Sequence, residues 1–351
     1  MVKIKRAFLP LALMALLLSA CGDNTPETQQ VTLNGKTMGT YYAIKYVADP
    51  KEPSAESLQK GIDVVLEEVN DQMSTYRPDS ELSRFNQSRE VNTPFPVSAA
   101  TAKVVREAIR INHLTDGALD VTVGPLVNLW GFGPEGRVTH VPTEQDIETR
   151  RQWTGIDKLK VEGNNLIKTV PELYVDLSSI AKGYGVDAVA EYLESQNIRN
   201  YMVDVGGEVR TQGINGKGKP WRIAIEKPSS QGLSQSAQEI IEPGNASVAT
   251  SGDYRNYFEE NNVRYSHTID PKTARPINHN LVSITVIADN CMSADGFSTG
   301  LNVLGPERGL EVANAQNIPV FMMSKQRRDL KNATVRHLSP ICSKNKRRWL
   351  I

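Results

Sequence analysis

LYVDLSSIAKGYGVDAVAEYLESQNIRNYMVDV, residues 173–205, is the stretch from which the fold is read. Residues 173–177 and 201–205 are apolar and strand-like, and between them residues 182–196 place Val186, Val189, Ala190 and Leu193 on one helical stripe. Outward from this unit, residues 40–47 (TYYAIKYV) read as a strand, and Leu58, Ile62, Val65, Leu66, Val69 and Met73 recur at helical spacing. A second helix is expected from near Ser98 to about His113, with Val104, Val105, Ala108 and Ile109 as its apolar face. Residues 221–225 and 281–288 are further strand candidates. Strands and helices mix without strict alternation, so the expected class is α+β, mixed sheets packed with helices, and not a doubly wound sheet. No repeat of solenoid or propeller length is present. Residues 216–220 (GKGKP) read as a hairpin or loop tip, and 228–236 (PSSQGLSQS) as a flexible excursion.

The chain has 351 residues, with 40 Lys and Arg balancing 40 Asp and Glu. Nucleic-acid binders carry a basic excess, so this balance argues against nucleic acid as the partner. At 39% hydrophobic residues and with only one long apolar run, the chain is neither polytopic nor generally disordered. That run, residues 8–18, follows Lys3, Lys5 and Arg6 and leads into Leu18-Ser19-Ala20-Cys21. It is short for a bilayer span and suits a signal peptide over residues 1–20. A cysteine in that place resembles a bacterial lipobox, which implies a lipid anchor at Cys21 and a polar tether over 21–30. Removing the leader leaves 37 basic against 40 acidic residues, so no basic sheath helps hold the chain on anionic lipid. Cys291 and Cys342 remain, allowing at most one disulfide. The basic tail 343–351 reads as a solvated end.

Chemistry-bearing residues fall in a few segments. In Ala294-Asp295-Gly296-Phe297-Ser298-Thr299, a helix beginning here sets Asp295, Ser298 and Thr299 on one face. These oxygen donors suit a hard cation such as Mg²⁺; they equally suit N-terminal helix capping. Residues 176–184 run through a small-residue turn into a helix, whose amides hold phosphate with help from Lys182, or which merely connects two elements. No P-loop, Rossmann glycine fingerprint, zinc-spaced histidine pair or G-x-S-x-G occurs. His267, in Ser266-His267-Thr268-Ile269-Asp270-Pro271, is a candidate general base or a structural histidine. Tyr76 offers an aromatic face to a planar ligand or packs in its turn.

Together these segments form an ordered pattern: Thr37-Met38-Gly39-Thr40, Ser74-Thr75-Tyr76 with Phe85-Asn86, Asp116 through Asp120, Gly124 through Phe132, Ala181-Lys182-Gly183-Tyr184, Val205-Gly206-Gly207, Ala249-Thr250-Ser251-Gly252, His267 through Pro276, and Asp295 through Thr299. The pattern resembles the ApbE-type FAD:protein FMN transferases over roughly residues 31–340. The resemblance implies an ApbE-like domain over 31–342 in a lipoprotein facing the periplasm, the inner membrane in preference. Such a protein uses FAD and Mg²⁺ to move FMN onto a Ser or Thr hydroxyl of another protein, releasing AMP. By resemblance the metal is held by Asp295 and Thr299 side chains, the Ala181 carbonyl and Ser298. Met38 and Tyr76 contact the flavin, Ala118, Leu119 and Asp120 the adenosine side, and Ser178, Tyr184, His267 and Ile269 the rest of the cofactor. His267 is the implied base.

Ser298 stands where relatives often carry Ala or Asp. Ala274 replaces the usual Gly after Asp-Pro-x-Thr, where a turn needing positive φ strains an alanine. FAD hydrolysis to FMN and AMP, and FAD storage without turnover, are the alternatives. The expected partners are flavin-accepting domains of membrane respiratory complexes that carry a Ser/Thr acceptor motif.

Overall fold

The computed structural model describes residues 29–325, with breaks at 50, 52, 137–139, 227–236, 253–256 and 261–262, together with 335–336. The expected signal peptide over 1–20, Cys21, nearly all of the expected tether, residues 228–236, Cys342 and residues 343–351 lie outside the described residues. The tether reading ends sooner than expected, because Gln30 already begins the first strand.

One large sheet organises the chain. Its strands are β1 (Gln30–Thr37), β2 (Thr40–Val47), β3 (Tyr201–Val205), β4 (Glu208–Gln212), β5 (Ser247–Gly252), β6 (Leu281–Ala288), β7 (Val320–Ser324) and β8 (Val335–Arg336), side by side in that order. Every neighbouring pair is antiparallel. Helices α1 (Ala55–Met73), α2 (Glu81–Gln87), α3 (Ala99–Leu114), α4 (Gly124–Leu129), α5 (Glu144–Arg151), α6 (Ala181–Ser195) and α7 (Cys291–Ala315) complete the frame.

Alternation along the strands divides the core. Ala249, Ile284, Val286, Val320 and Met322 face the helices, while Val248, Ile287, Phe321 and Met323 face the hairpin Ile223–Glu226/Ala237–Ile241. The stripe of α6 packs with β2, β3 and α1, as its spacing predicts. Ser54 and Ser98 cap α1 and α3 through their hydroxyls. Among the described residues, no helix is long and apolar enough to cross a membrane.

Two expectations about elements change. Residues 173–177 are not a strand: Leu173, Val175 and Leu177 are fully buried in alternation, but the backbone has other partners. The Asn86 side chain both donates to the Val175 carbonyl and accepts from its amide, each at 2.8 Å, and the Asp176 amide donates to the Val121 carbonyl. A side-chain amide thus takes the place of a neighbouring strand. The strand expected over 221–225 begins at Ile223, because the Trp221 indole is turned to donate to the Gln212 carbonyl.

Candidate active site

The site is built where the starts of α6 and α7 cross. The helix of α7 begins four residues before Asp295, with Asn290 as its cap, which corrects the capping alternative: Asp295 sits in the second turn. Its carboxylate instead accepts the Gly183 amide of α6 at 2.9 Å. Reciprocally, Asp187 of α6 accepts the Cys291 and Met292 amides of α7 at 3.0 and 2.8 Å. Each helix therefore supplies a carboxylate to the unpaired N-terminal amides of the other, where the helix dipole favours negative charge. Arg210 of β4 donates to Asp187 at 2.8 Å and fixes it from the sheet side.

The crossing depends on glycine at 183. A Cβ there would stand 2.3 Å from the Cys291 carbonyl oxygen and 2.7 Å from Asp295 Cβ, closer than atoms can approach. Farther along α7, Gly300 lets Thr115 and Leu119 approach closely, which brings the 118–120 loop against the same helix.

These elements wall a cavity of about 290 Å³. Its polar side carries Asp295, Thr299, Lys182, Glu208, Thr250 and Ser251. Ser251 and Thr299 hydroxyls are hydrogen-bonded to each other at 3.1 Å. The lining also includes Tyr76, Phe132, the 118–120 loop, and His267 with Ile269. Tyr76 is 65% exposed, and its hydroxyl donates to the Phe132 carbonyl. The His267 ring lies edge-on to Phe132, centroids 6.4 Å apart.

Charge in the cavity is unbalanced. Among the described lining residues, Asp120, Asp176, Glu208 and Asp295 face a single lysine, Lys182. Lys182 Nζ is 3.1 Å from Glu208 and 3.8 Å from Asp295. Burial pulls the Lys182 pKa down, but Asp295 and Glu208 outweigh it and hold the ammonium above the usual lysine value. Burial pushes Glu208 and Asp295 up, against the pull of Lys182, and for Glu208 the charge on Asp295 adds to the rise. Burial likewise raises Asp120, although Thr122 donates to it from both backbone and hydroxyl.

The structure brings Tyr76, Ala118, Leu119, Asp120, Ser178, His267, Ile269, Asp295 and Thr299 into the lining of this one cavity. The remaining named positions stand behind it. Ser298 is 1% exposed, and its hydroxyl donates to the Asp295 carbonyl. Ala181 is the first residue of α6. Met38, at the tip of the β1–β2 turn with φ of 49°, packs on Gly185. Tyr184 lies under the Lys103 ammonium of α3, 5.6 Å from it.

Sequence reasoning missed Glu208, the first residue of β4, and Asp187. Glu208 follows Val205-Gly206-Gly207 directly, so an acid opening a buried strand was the available signal. Asp187, a lone carboxylate within the stripe of α6, gave the same kind of sign.

The donor set fits a hard divalent cation. Two buried carboxylates and two hydroxyls converge, and Glu208 Oε2 is buried with no hydrogen-bond partner. No group of three or more His, Cys, Asp or Glu side chains is arranged to hold a metal ion among the described residues, so phosphate oxygens or water must complete such a site.

The ApbE family model matches residues 38–322. The FAD:protein FMN transferase of Vibrio cholerae serotype O1 is 59% identical over 334 residues, covering 95% of this chain and 99% of the relative. That of Haemophilus influenzae is 54% identical over 315 residues, covering 88% and 90%. The solved structure of the flavin transferase ApbE from Vibrio cholerae superposes with a TM-score of 0.80 at 60% identity, covering 86% of this chain and 95% of that one. With the fold, the crossing of α6 and α7 and these likenesses in agreement, the chain belongs to the ApbE family.

Proposed function

We propose that the chain transfers the FMN moiety of FAD to a Ser or Thr hydroxyl of a target protein, releasing AMP, with Mg²⁺ as the assisting cation. The observation that carries this reading is that Asp295, Thr299, Lys182 and Glu208 line one cavity together with Tyr76 and His267. A diphosphate brings about two negative charges, and four lining carboxylates against one lysine repel it. A cation is needed to reverse that sign. Asp295 and Thr299 are the side chains placed to hold it, with Glu208 beside them. Mg²⁺ held there would supply neutralisation of the diphosphate's negative charge.

The chain's own residues do the rest. Tyr76 and Phe132 give the flavin ring an apolar face, and the 118–120 loop holds the adenosine half. His267 takes the proton of the acceptor hydroxyl as its oxygen bonds to the FMN phosphorus. The bond from that phosphorus to the bridging oxygen breaks, and AMP leaves with the electron pair. General-base help of this kind is worth about 10² to 10⁴ in rate. The same reading anchors the chain by lipid at Cys21, facing the periplasm, the inner membrane in preference. Its targets are then outward-facing flavin-accepting domains of membrane respiratory complexes.

Purified chain, FAD, Mg²⁺ and a threonine-bearing acceptor domain should yield flavin fluorescence on the acceptor that survives denaturation. AMP released without any acceptor, at the same rate as with it, would instead establish hydrolysis. Tight FAD binding with neither product would leave a storage protein.

A further inference from the structure

Lys182 occupies an unusual place. Its ammonium lies between two buried carboxylates, nearer to Glu208 at 3.1 Å than to Asp295 at 3.8 Å, and about a third of its side chain is open to the cavity. Asp295 spends its other oxygen on the Gly183 amide, so the oxygen directed at Lys182 is the one left for a ligand. Glu208 spends Oε1 on Lys182 and leaves Oε2 without a partner. Lysine and a divalent cation are therefore offered the same Asp295 oxygen, and Glu208 provides a berth to which the lysine can withdraw.

Resting on the cation-assisted reading above, we infer that Lys182 is a positioning residue that competes with the divalent cation for Asp295. Tethered to Glu208, it keeps the two carboxylates together, and it yields the Asp295 oxygen when the cation arrives. The tether sets a threshold: the cation binds only when its attraction, aided by the substrate diphosphate, exceeds that of the lysine. The exchange couples cation affinity to FAD and keeps the two carboxylates from holding a cation tightly in the absence of substrate.

The test is Mn²⁺ affinity of the FAD-free chain, read by electron paramagnetic resonance, for wild type, Lys182→Met and Lys182→Gln. Removing one positive charge next to the ligand oxygen should tighten Mn²⁺ binding about tenfold in both variants. Thermal melts should show both variants less stable than wild type in EDTA and restored by Mn²⁺, while wild type changes little between the two conditions. Lys182→Gln retains a donor for Glu208, so it carries the test even where Lys182→Met does not fold without metal. Unchanged or weaker Mn²⁺ binding in Lys182→Gln overturns the competition while leaving flavin transfer standing. Absence of saturable Mn²⁺ binding in wild type and both variants, even with FAD present, overturns the cation-assisted reading itself.

Discussion

The two walls of the cavity are made on different principles. The polar wall belongs to helix starts and sheet: Asp295 and Glu208 are 3% and 5% exposed, Asp187 and Gly183 lock α7, which carries Asp295, to α6, and Glu208 opens β4. The facing wall belongs to loops and short elements. Tyr76 is 65% exposed and makes one hydrogen bond through its hydroxyl, and the 118–120 loop follows two residues with positive φ, Asp116 and Gly117. Phosphate chemistry requires charges held in place before the substrate arrives, whereas a flat ring is gripped by area and tolerates adjustment. Damage to the first wall should cost rate or stability, and damage to the second should cost affinity.

The largest effect should come from Asp295→Ala, which removes the carboxylate presented to the cation. Acceptor labelling should fall by about 10²-fold or more, since such charge stabilisation is worth several kcal/mol. An unchanged rate would remove Asp295 from the chemistry. Next, Asp187→Ala strips partners from two buried amides and Arg210 at once. It should cost about 3 kcal/mol, a loss of roughly 5–10 °C in Tm by calorimetry. If stability holds, the crossed carboxylates do not lock the two helices.

Tyr76→Ala addresses the other wall. Loss of a stacking face should raise the KM for FAD about tenfold, with kcat changed by less than about threefold and Tm unmoved. A kcat loss without a KM change would show that the exposed wall aligns reacting atoms, erasing the distinction between the walls.

A pH series sharpens the electrostatic half. Burial holds the Glu208 and Asp295 carboxyls above their ordinary ranges, so the folded chain keeps protons that the unfolded chain has lost. Their contribution is fully present below the ordinary carboxylate range and is lost as pH rises through the raised values toward neutrality. In EDTA, Tm should decline over that interval, and Glu208→Gln should flatten the decline. A wild-type Tm that rises throughout would contradict the dominance of burial over the Lys182 pairing at these carboxyls.

The smallest effect concerns Ala274, whose φ is 57° although its side chain is fully buried and its carbonyl accepts the Trp130 indole at 3.0 Å. Ala274→Gly relieves about 1 kcal/mol of strain but loses a buried methyl and adds chain entropy, each of similar size. Tm should shift by less than about 3 °C. A larger fall would mean that the methyl packs the wall better than the strain harms it.

Three of the eight described strands of the large sheet and several helices were legible because their patterns are local. β2, β3 and β6 span the predicted residues, and the stripe of α6 is buried as its spacing implies. Residues 173–177 show where a pattern misleads: alternation reports burial correctly but not whether a strand or the Asn86 side chain receives the backbone. The cavity lining was legible where a short motif carried it, as at Asp295 and Thr299 and at His267. Asp187 and Glu208 were hidden because their partners lie far away in sequence, Cys291 and Met292 for the first, Lys182 and the cavity for the second. An acid directly after Gly206-Gly207 and another beside the apolar stripe of α6 were the only local signs.

The central claim is that one cavity holds a diphosphate at the α6–α7 crossing and a flavin on the loop wall. A crystal structure of the chain with FAD and Mg²⁺ tests it most directly. The account predicts cation density between Asp295, Thr299 and the diphosphate, with the isoalloxazine ring against Tyr76 and His267 facing the FMN phosphorus. A dinucleotide bound outside this cavity, or one whose diphosphate lies away from Asp295, would contradict it.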